Sequence, residues 1–436
     1  MYVMKKRISY MLKIILFILL ILPIALPSFA YATVPKNETA LPNIEKISLG
    51  YGHTIALASD GTVYTWGSNK DGQLGDGNIG TNQASPIAIT MPGEAKIEQV
   101  AAGRNHTIAL ASDGTMYEWG SNDFGQLGDG NIGTNQATPT AITIPEGAKI
   151  EQVAAGIYHS VALASDGTMY TWGSNEDGQL GDENIGTNQV SPTAISMPKG
   201  VMIEQVGVGN FHTVALASDG TMYAWGRNYY GQLGDGSSGT NQASPIVIPM
   251  PEGVTIEQIA AGGAHTIALA SDGTMYAWGR NYSGQLGDGD SGFGADKASP
   301  TAITMPEGVT IEQVEAGNIH TMALASDGTV YTWGLNDVGQ LGDGNIGTNQ
   351  ASPTAITIPE GAKIEQVAVG VFHSIALASD GTVYSWGWNF YGQLGDGNMG
   401  TNQATPHKVV FLTDESEGIA VGEYVVQSKA TLQTAN

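Results

Sequence analysis

Cysteine is absent from this chain, which excludes disulfides, thiolate metal sites and cysteine-linked lipid anchors. Charge is sparse and one-sided: 17 basic residues stand against 41 acidic ones, for a formal net charge of −24. Such a chain lacks the basic patch with which proteins hold nucleic acid phosphates or anionic lipid heads. Lys, Glu and Leu are too scarce for long amphipathic helices. Long apolar runs are missing too, with one exception near the start. Ile14 to Leu26 is apolar apart from Pro23, and at about 13 residues it is short for a membrane span of ~20.

That run follows Lys5, Lys6 and Arg7, with Lys13 beside it, and precedes Ala30-Tyr31-Ala32. A basic start, a short apolar stretch and small residues at two spaced positions read as a secretory signal over residues 1–32, cleaved before Thr33. Cleavage removes four basic residues and no acidic one, leaving −28. The mature chain is therefore expected outside the cell or in its envelope, soluble, off the membrane and without nucleic acid.

What the chain has in abundance is glycine (60), tyrosine (17) and a regular repeat. His53, His106, His159, His212, His265, His320 and His373 recur at intervals of 53 residues, with one interval of 55. Trp66, Trp119, Trp172, Trp225, Trp278, Trp333 and Trp386 keep the same step. The long interval comes from two extra residues in the fifth unit, near Asp290 to Lys297. A period of this size marks stacked supersecondary units.

The third unit shows the pattern. Lys149–Ala155 alternates apolar and polar as a half-buried strand does. Ser160–Ala164 and Met169–Trp172 read as short strands around Asp166-Gly167, a pair that suits a type I′ hairpin. A Gly-rich loop leads to a fourth strand over Ser191–Met197. Four strands repeated seven times predict an all-β, seven-bladed β-propeller with four-stranded antiparallel blades. A linear solenoid would need polar capping units, and the end units look like the middle ones. The predicted organisation is a signal over 1–32, a linker over 33–42, the propeller over 43–412 and a tail over 413–436. Ile44–Leu49 matches the first strand of a unit and is a candidate to complete the last blade. The tail, which faintly echoes a further unit from Gly418 to Leu432, is its competitor.

The pattern GxxHTxALxxDGTxYxWGxNxxGQLGDG, present in seven copies with minor substitutions such as Glu183 in the third, resembles the signature of the regulator of chromosome condensation repeat family. The resemblance implies a seven-bladed propeller, commonly closed by a strand shared between the termini. It also implies, for the family namesake, nucleotide exchange on a small GTPase with chromatin association. An export signal, acidic charge and the absence of a large blade insertion oppose that activity here. Secreted members of the fold that grip a protein with aromatic loop residues on one face offer a nearer parallel.

The repeated residues read as scaffold. Histidines on seven different blades do not converge on one metal ion, and each tryptophan suits a wedge between blades. Asp76-Gly77-Asn78 offers one carboxylate where calcium wants several, so it reads as a turn. Ser59, Asp60 and His53 resemble a triad by composition only. No catalytic residue, metal or cofactor is predicted, and the chain is not expected to be an enzyme.

The residues that break the repeat carry the functional signal. They fall at the pair between Gly and His, and at the free positions of WGxNxxG. In an antiparallel blade these two loops share one edge, and the invariant Asp-Gly hairpin lies at the other. Roughly a third of the free positions are aromatic, against 8% for the whole chain, and Tyr, Trp and Arg dominate binding hot spots. The predicted partner-binding residues are Tyr51, Arg104, Phe124, Tyr158, Phe211, Arg227, Tyr229, Tyr230, Arg280, Tyr282, Phe372, Trp388, Phe390 and Tyr391. Those on blades four, five and seven are expected to form an aromatic and basic arc. An acidic arc of Asp71, Asp123, Glu176 and Asp177 is expected on blades one to three. The expected partner of this monomer is a protein, with a cell-wall glycan as the alternative.

Overall fold

The structure, a computed structural model, describes residues 42–411. The signal, nearly all of the linker and the tail lie outside the described residues. Within them, twenty-eight strands form seven four-stranded antiparallel sheets, each built from consecutive strands. In blade one these are β1 (Ile44–Leu49), β2 (His53–Ala58), β3 (Val63–Gly67) and β4 (Gln83–Ile89), hydrogen-bonded in that order. The third unit's fourth strand is Gln189–Ala194, earlier than its sequence pattern indicates, because it pairs from Gly173↔Gln189 across a bulge.

Apolar alternation decides what each strand buries. In β1, Ile44 and Ile47 point into the protein while Glu45 and Lys46 face water. β2 is buried at every residue, because each of its faces meets a neighbouring blade. The hydrophobic core is accordingly divided into seven interblade clusters. Between blades one and two, Ile55, Leu57, Val63, Ile89 and Met91 meet Ile97, Ala109, Tyr117 and Trp119. Every repeat tryptophan is fully buried. Each is worth at most about 4–6 kcal/mol, from roughly 150–250 Å² at ~25 cal/mol per Å².

Two local expectations are corrected. The hairpin after β2 is not a type I′ turn: Gly61 has φ +90°, whereas Asp60 does not have positive φ. Gly61 N–H instead bonds Ala58 O (2.9 Å) and Thr62 N–H bonds Asp60 Oδ1 (2.9 Å). This is the three-residue arrangement of a turn followed by a left-handed glycine. Nor does Ile44–Leu49 complete the last blade. It is the innermost strand of blade one, with Ile47 opposite Ala56 and Leu49 opposite Thr54.

The ring closes without a shared strand, and Gly397 N–H bonds Ala84 O (3.0 Å) across the junction. Blade seven's last strand (Gln403–Lys408) continues to Val409 and Phe411. Phe411 packs edge-on against Tyr64 (5.4 Å) and Trp66 (6.2 Å) of blade one. These residues occupy the places that Ile89 and Met91 take at the next junction, so a closing strand is not required.

One polar network recurs at all seven junctions. Thr107 Oγ1 and Trp119 Nε1 both donate to Gln73 O (3.0 and 2.9 Å), and His53 Nε2 lies 3.2 Å from Thr107 Oγ1. Since the threonine proton goes to the carbonyl, His53 Nε2 must be the donor. At the closing junction His373, Thr54, Trp66 and the carbonyl of Gln393 repeat the arrangement. The seven Nδ1 atoms are buried without partners, and burial pushes the His53 pKa down to about 3.

Candidate protein-binding face

The loop following the third strand of each blade is held by residues that do not vary. Asn69 Oδ1 accepts from Leu74 N–H (3.1 Å), and its Nδ2 donates to Asp76 Oδ1 (2.9 Å) and Asn78 O (3.1 Å). Asp76 Oδ1 also accepts from Asn78 N–H (2.9 Å), so this stretch is a side-chain-capped turn. Gln73 Oε1 accepts from Asp71 N–H (2.9 Å). A buried Asn and Gln thus fix the backbone and leave the intervening positions free to differ.

Both variable loops lie at one edge. Ser68 N–H, in the loop after β3, bonds Gly52 O in the loop after β1 (2.7 Å), and equivalent bonds recur on the other blades. The innermost strands surround a central channel of about 360 Å³. Its rim on this face carries Tyr51, Arg104, Ile157, Asn210, Gly263, Asn318 and Val371. Asn210 Nδ2 donates to Asn318 Oδ1 (2.7 Å) across blade five. Gly263 leaves the space for this bridge, since a Cβ there would lie 2.2 Å from Asn318 Oδ1.

All fourteen residues expected at the site are on this face and at least partly exposed. Tyr51 touches Phe372 (6.0 Å) and Trp388 (5.3 Å), and Trp388 stacks on Phe390 (6.1 Å, 14°) and meets Tyr391 (5.2 Å). Arg104 lies over Tyr51 (5.0 Å) and Tyr158 (5.5 Å) and donates to the Tyr158 hydroxyl. Tyr158 contacts Phe124 (4.5 Å) and Phe211 (6.4 Å). Arg227 covers Phe211 (3.8 Å) and Tyr229 (5.3 Å). Arg280 bridges Tyr230 (4.9 Å) and Tyr282 (6.0 Å). The set is an arc running from blade seven through blades one to five, made of two contact chains that adjoin at Tyr229 and Tyr230 on blade four, with no member on blade six. The charged guanidinium groups sit within cation–π range of the rings.

The expected division into a basic and an acidic arc does not hold. Asp71 accepts from Asn105 Nδ2 (2.9 Å) and Asn135 Nδ2 (3.3 Å) of blade two. Asp177 is buried against Arg227 (2.6 Å) and Asn241 Nδ2 (2.8 Å). Two of the four carboxylates therefore orient neighbouring loops, and the early blades contribute aromatic side chains to the arc. Asp123 and Glu176 remain exposed. Among the described residues, Arg104 and Arg280 form no ion pair. Sequence reasoning missed Phe293, which is fully exposed and meets Tyr282 at 6.1 Å. Its signal was the two-residue insertion of the fifth unit.

A family model described as RCC1-like domain matches residues 26–310, and the regulator of chromosome condensation (RCC1) repeat matches 327–377 and 380–426. The chain belongs to the RCC1 repeat family. Among relatives of this RCC1-type propeller, the ultraviolet-B receptor UVR8 of Arabidopsis thaliana is 37% identical over 354 residues, covering 80% of this chain and 78% of that protein. The E3 ubiquitin-protein ligase HERC2 of Homo sapiens is 34% identical over 355 residues, 80% of this chain but 7% of HERC2. The crystal structure of Prp20p from Saccharomyces cerevisiae, described with its binding to Gsp1p and histones, matches with TM-score 0.73 and 26% identity over 85% of this chain and 97% of that one. Yeast RCC1 (Prp20) bound to Kap60 matches with TM-score 0.73, 27% identity and coverage of 82% and 86%.

Proposed function

We propose that this RCC1-type propeller is a secreted, monomeric and non-catalytic scaffold that captures a protein through the aromatic–arginine arc. The observation that carries this reading is a pair of ring and guanidinium contact chains, one from Phe390 to Tyr229 and one from Tyr230 to Phe293, which meet at adjacent residues of one loop. Both lie on the face bearing the two variable loop sets. Tyr229, Tyr282 and Phe390 are 56%, 53% and 60% exposed. Contiguous exposed aromatics rimmed by polar groups mark an interaction surface, and rigid rings supply contact area with few rotors to freeze. The contacts among the rings hold the arc in place before a partner arrives, which lowers the ordering cost of binding. Arg104 and Arg280, free of ion pairs among the described residues, call for acceptor groups on that partner.

The test is capture from culture medium by the mature protein, followed by titration of the captured partner. Tyr229→Ala, Tyr282→Ala and Phe390→Ala combined should weaken binding at least about 100-fold, given hot-spot effects of ~2 kcal/mol or more each. Full affinity in a folded triple variant removes the arc from the account. Retention on cell-wall polysaccharide, lost in the same variant, would assign the face to a glycan instead.

A further inference from the structure

The channel mouth on the variable face is bridged on one side and open on the other. Asn210 of blade four donates to Asn318 of blade six (2.7 Å), and the bridge passes over Gly263 of blade five. The rim residues left outside it are Val371, Tyr51, Arg104 and Ile157, on four successive blades. Backbone bonds tie them together: Val371 N–H bonds Gly50 O (3.3 Å) and Tyr51 N–H bonds Arg104 O (3.1 Å). The other six blades carry Tyr, Ile, Asn, Gly, Asn and Val at this position, so Arg104 is the one charged residue of the rim.

Arg104 is held in place, yet its charge is unpaired. It is half-buried, lies over the rings of Tyr51 (5.0 Å) and Tyr158 (5.5 Å), and donates to the Tyr158 hydroxyl. Those tyrosines come from the blades on either side, so the guanidinium cannot swing away without losing contacts on both. Tyr158 is itself fixed by Phe124 (4.5 Å) and Phe211 (6.4 Å). No carboxylate pairs with Arg104 among the described residues, although the chain has 41 acidic residues to 17 basic ones. Arg227, further along the arc, is by contrast closed by Asp177 (2.6 Å). A positioned cation, partly out of water and without a counter-ion, is a site that lacks its anion.

We propose that the open side of the channel mouth is a subsite for a carboxylate on a short apolar stem, received by Arg104. The planar guanidinium matches the two oxygens of a carboxylate with parallel N–H donors. Val371 and Ile157 stand on the same stretch of rim. Leu49, Ala102, Ala155 and Val369, each two residues before one of the four open rim residues, line the channel and are all apolar. A stem entering there meets apolar side chains. Glu315, the other charged residue along the channel, is on blade six, at the bridged side. A group of this kind is carried by the end of a polypeptide chain or by a free short-chain acid. The assignment rests on the reading of this face as a binding face, and adds the chemistry that one part of it selects.

The mature chain is titrated at pH 7 and constant ionic strength with sodium butyrate, with butyramide, and with acetyl-Ala-Val as free acid and as amide. Binding is followed by ligand-observed NMR and by the shift in Tm. The wild-type chain should bind butyrate with a Kd on the order of 10 mM and neutral butyramide at least about tenfold more weakly. Arg104→Asn installs the residue that blades four and six carry at this position, so it should fold normally. It should lose butyrate binding by at least about tenfold. Tighter binding of the dipeptide acid than of butyrate, lost in its amide, would identify the end of a partner's chain as the source. The opposite preference would identify a free short-chain acid. No partner protein is present, so a failure here leaves capture by the arc standing, and a failure of capture leaves this titration standing. Absence of butyrate binding at about 100 mM, equal binding of butyrate and butyramide, or unchanged binding by folded Arg104→Asn would overturn the proposal.

Discussion

The two faces of the ring are built from the same blades and differ in what the repeat permits. On one face every hairpin is the same: an aspartate accepts the backbone N–H of the threonine two residues on, as Asp113 does from Thr115 (2.8 Å). That bond holds the Asp113 carboxyl below its ordinary range. On the other face, equally fixed Asn and Gln side chains hold the loop backbone while the residues between them change from blade to blade. Identity across seven units therefore reports what holds the ring, and variation reports where the ring is indifferent. Substitutions at repeated positions should change stability and leave binding alone. Those at varied positions should do the reverse.

The largest effect is expected from acid. Each repeat histidine is buried as the neutral ring, with its pKa depressed by desolvation to about 3, or about 4 for His320. The unfolded chain titrates at the ordinary value of 6.5. Stability is then complete above pH 6.5 and is lost as pH falls from there toward the folded-state values. Each histidine contributes about 1.4 kcal/mol per pH unit, so the seven together remove on the order of 10 kcal/mol per unit. Glu118 and Glu315, whose carboxyls burial raises, oppose this but are too few to offset it. Urea midpoints measured from pH 7 to 4 should fall steeply below pH 6, and a flat profile would break the account of the interior.

A smaller effect is expected at the closing junction. Phe411→Ala removes the half-buried ring that packs on Tyr64 and Trp66 and should cost about 2–3 kcal/mol, read as a lower Tm with partner affinity unchanged. Smaller still is the gain at Glu183. It adopts φ +70°, where the other six units place glycine, so Glu183→Gly should raise stability by about 1 kcal/mol without altering the arc. Loss of partner affinity in either variant would blur the division between the faces.

The period of His and Trp made the blade count and strand number legible, because each unit has to bury the same wedge against its neighbour. The shared edge of the variable loops was legible for the same reason: antiparallel pairing leaves no other arrangement. Closure was not, since Val409 and Phe411 lie in a stretch that no longer resembles the repeat and act through packing. The hairpin type escaped because Asp-Gly suits both a two-residue and a three-residue turn, and φ alone separates them. The extent of the arc was misread because Asp71 and Asp177 look like surface charge in sequence but turn inward to Asn105 and Arg227. Glu118 was overlooked at a position where other units have Thr, Ala or Ser. It is fully buried, with Trp172 Nε1 at 3.4 Å from Oε2.

The division between the faces is tested most directly by hydroxyl-radical footprinting of the mature chain with and without its captured partner. Aromatic side chains report strongly in that experiment. Protection should concentrate at Tyr229, Tyr282, Phe293 and Phe390, leaving peptides of the Asp-Gly hairpins unchanged. Protection of the hairpins with the arc still exposed would contradict the account.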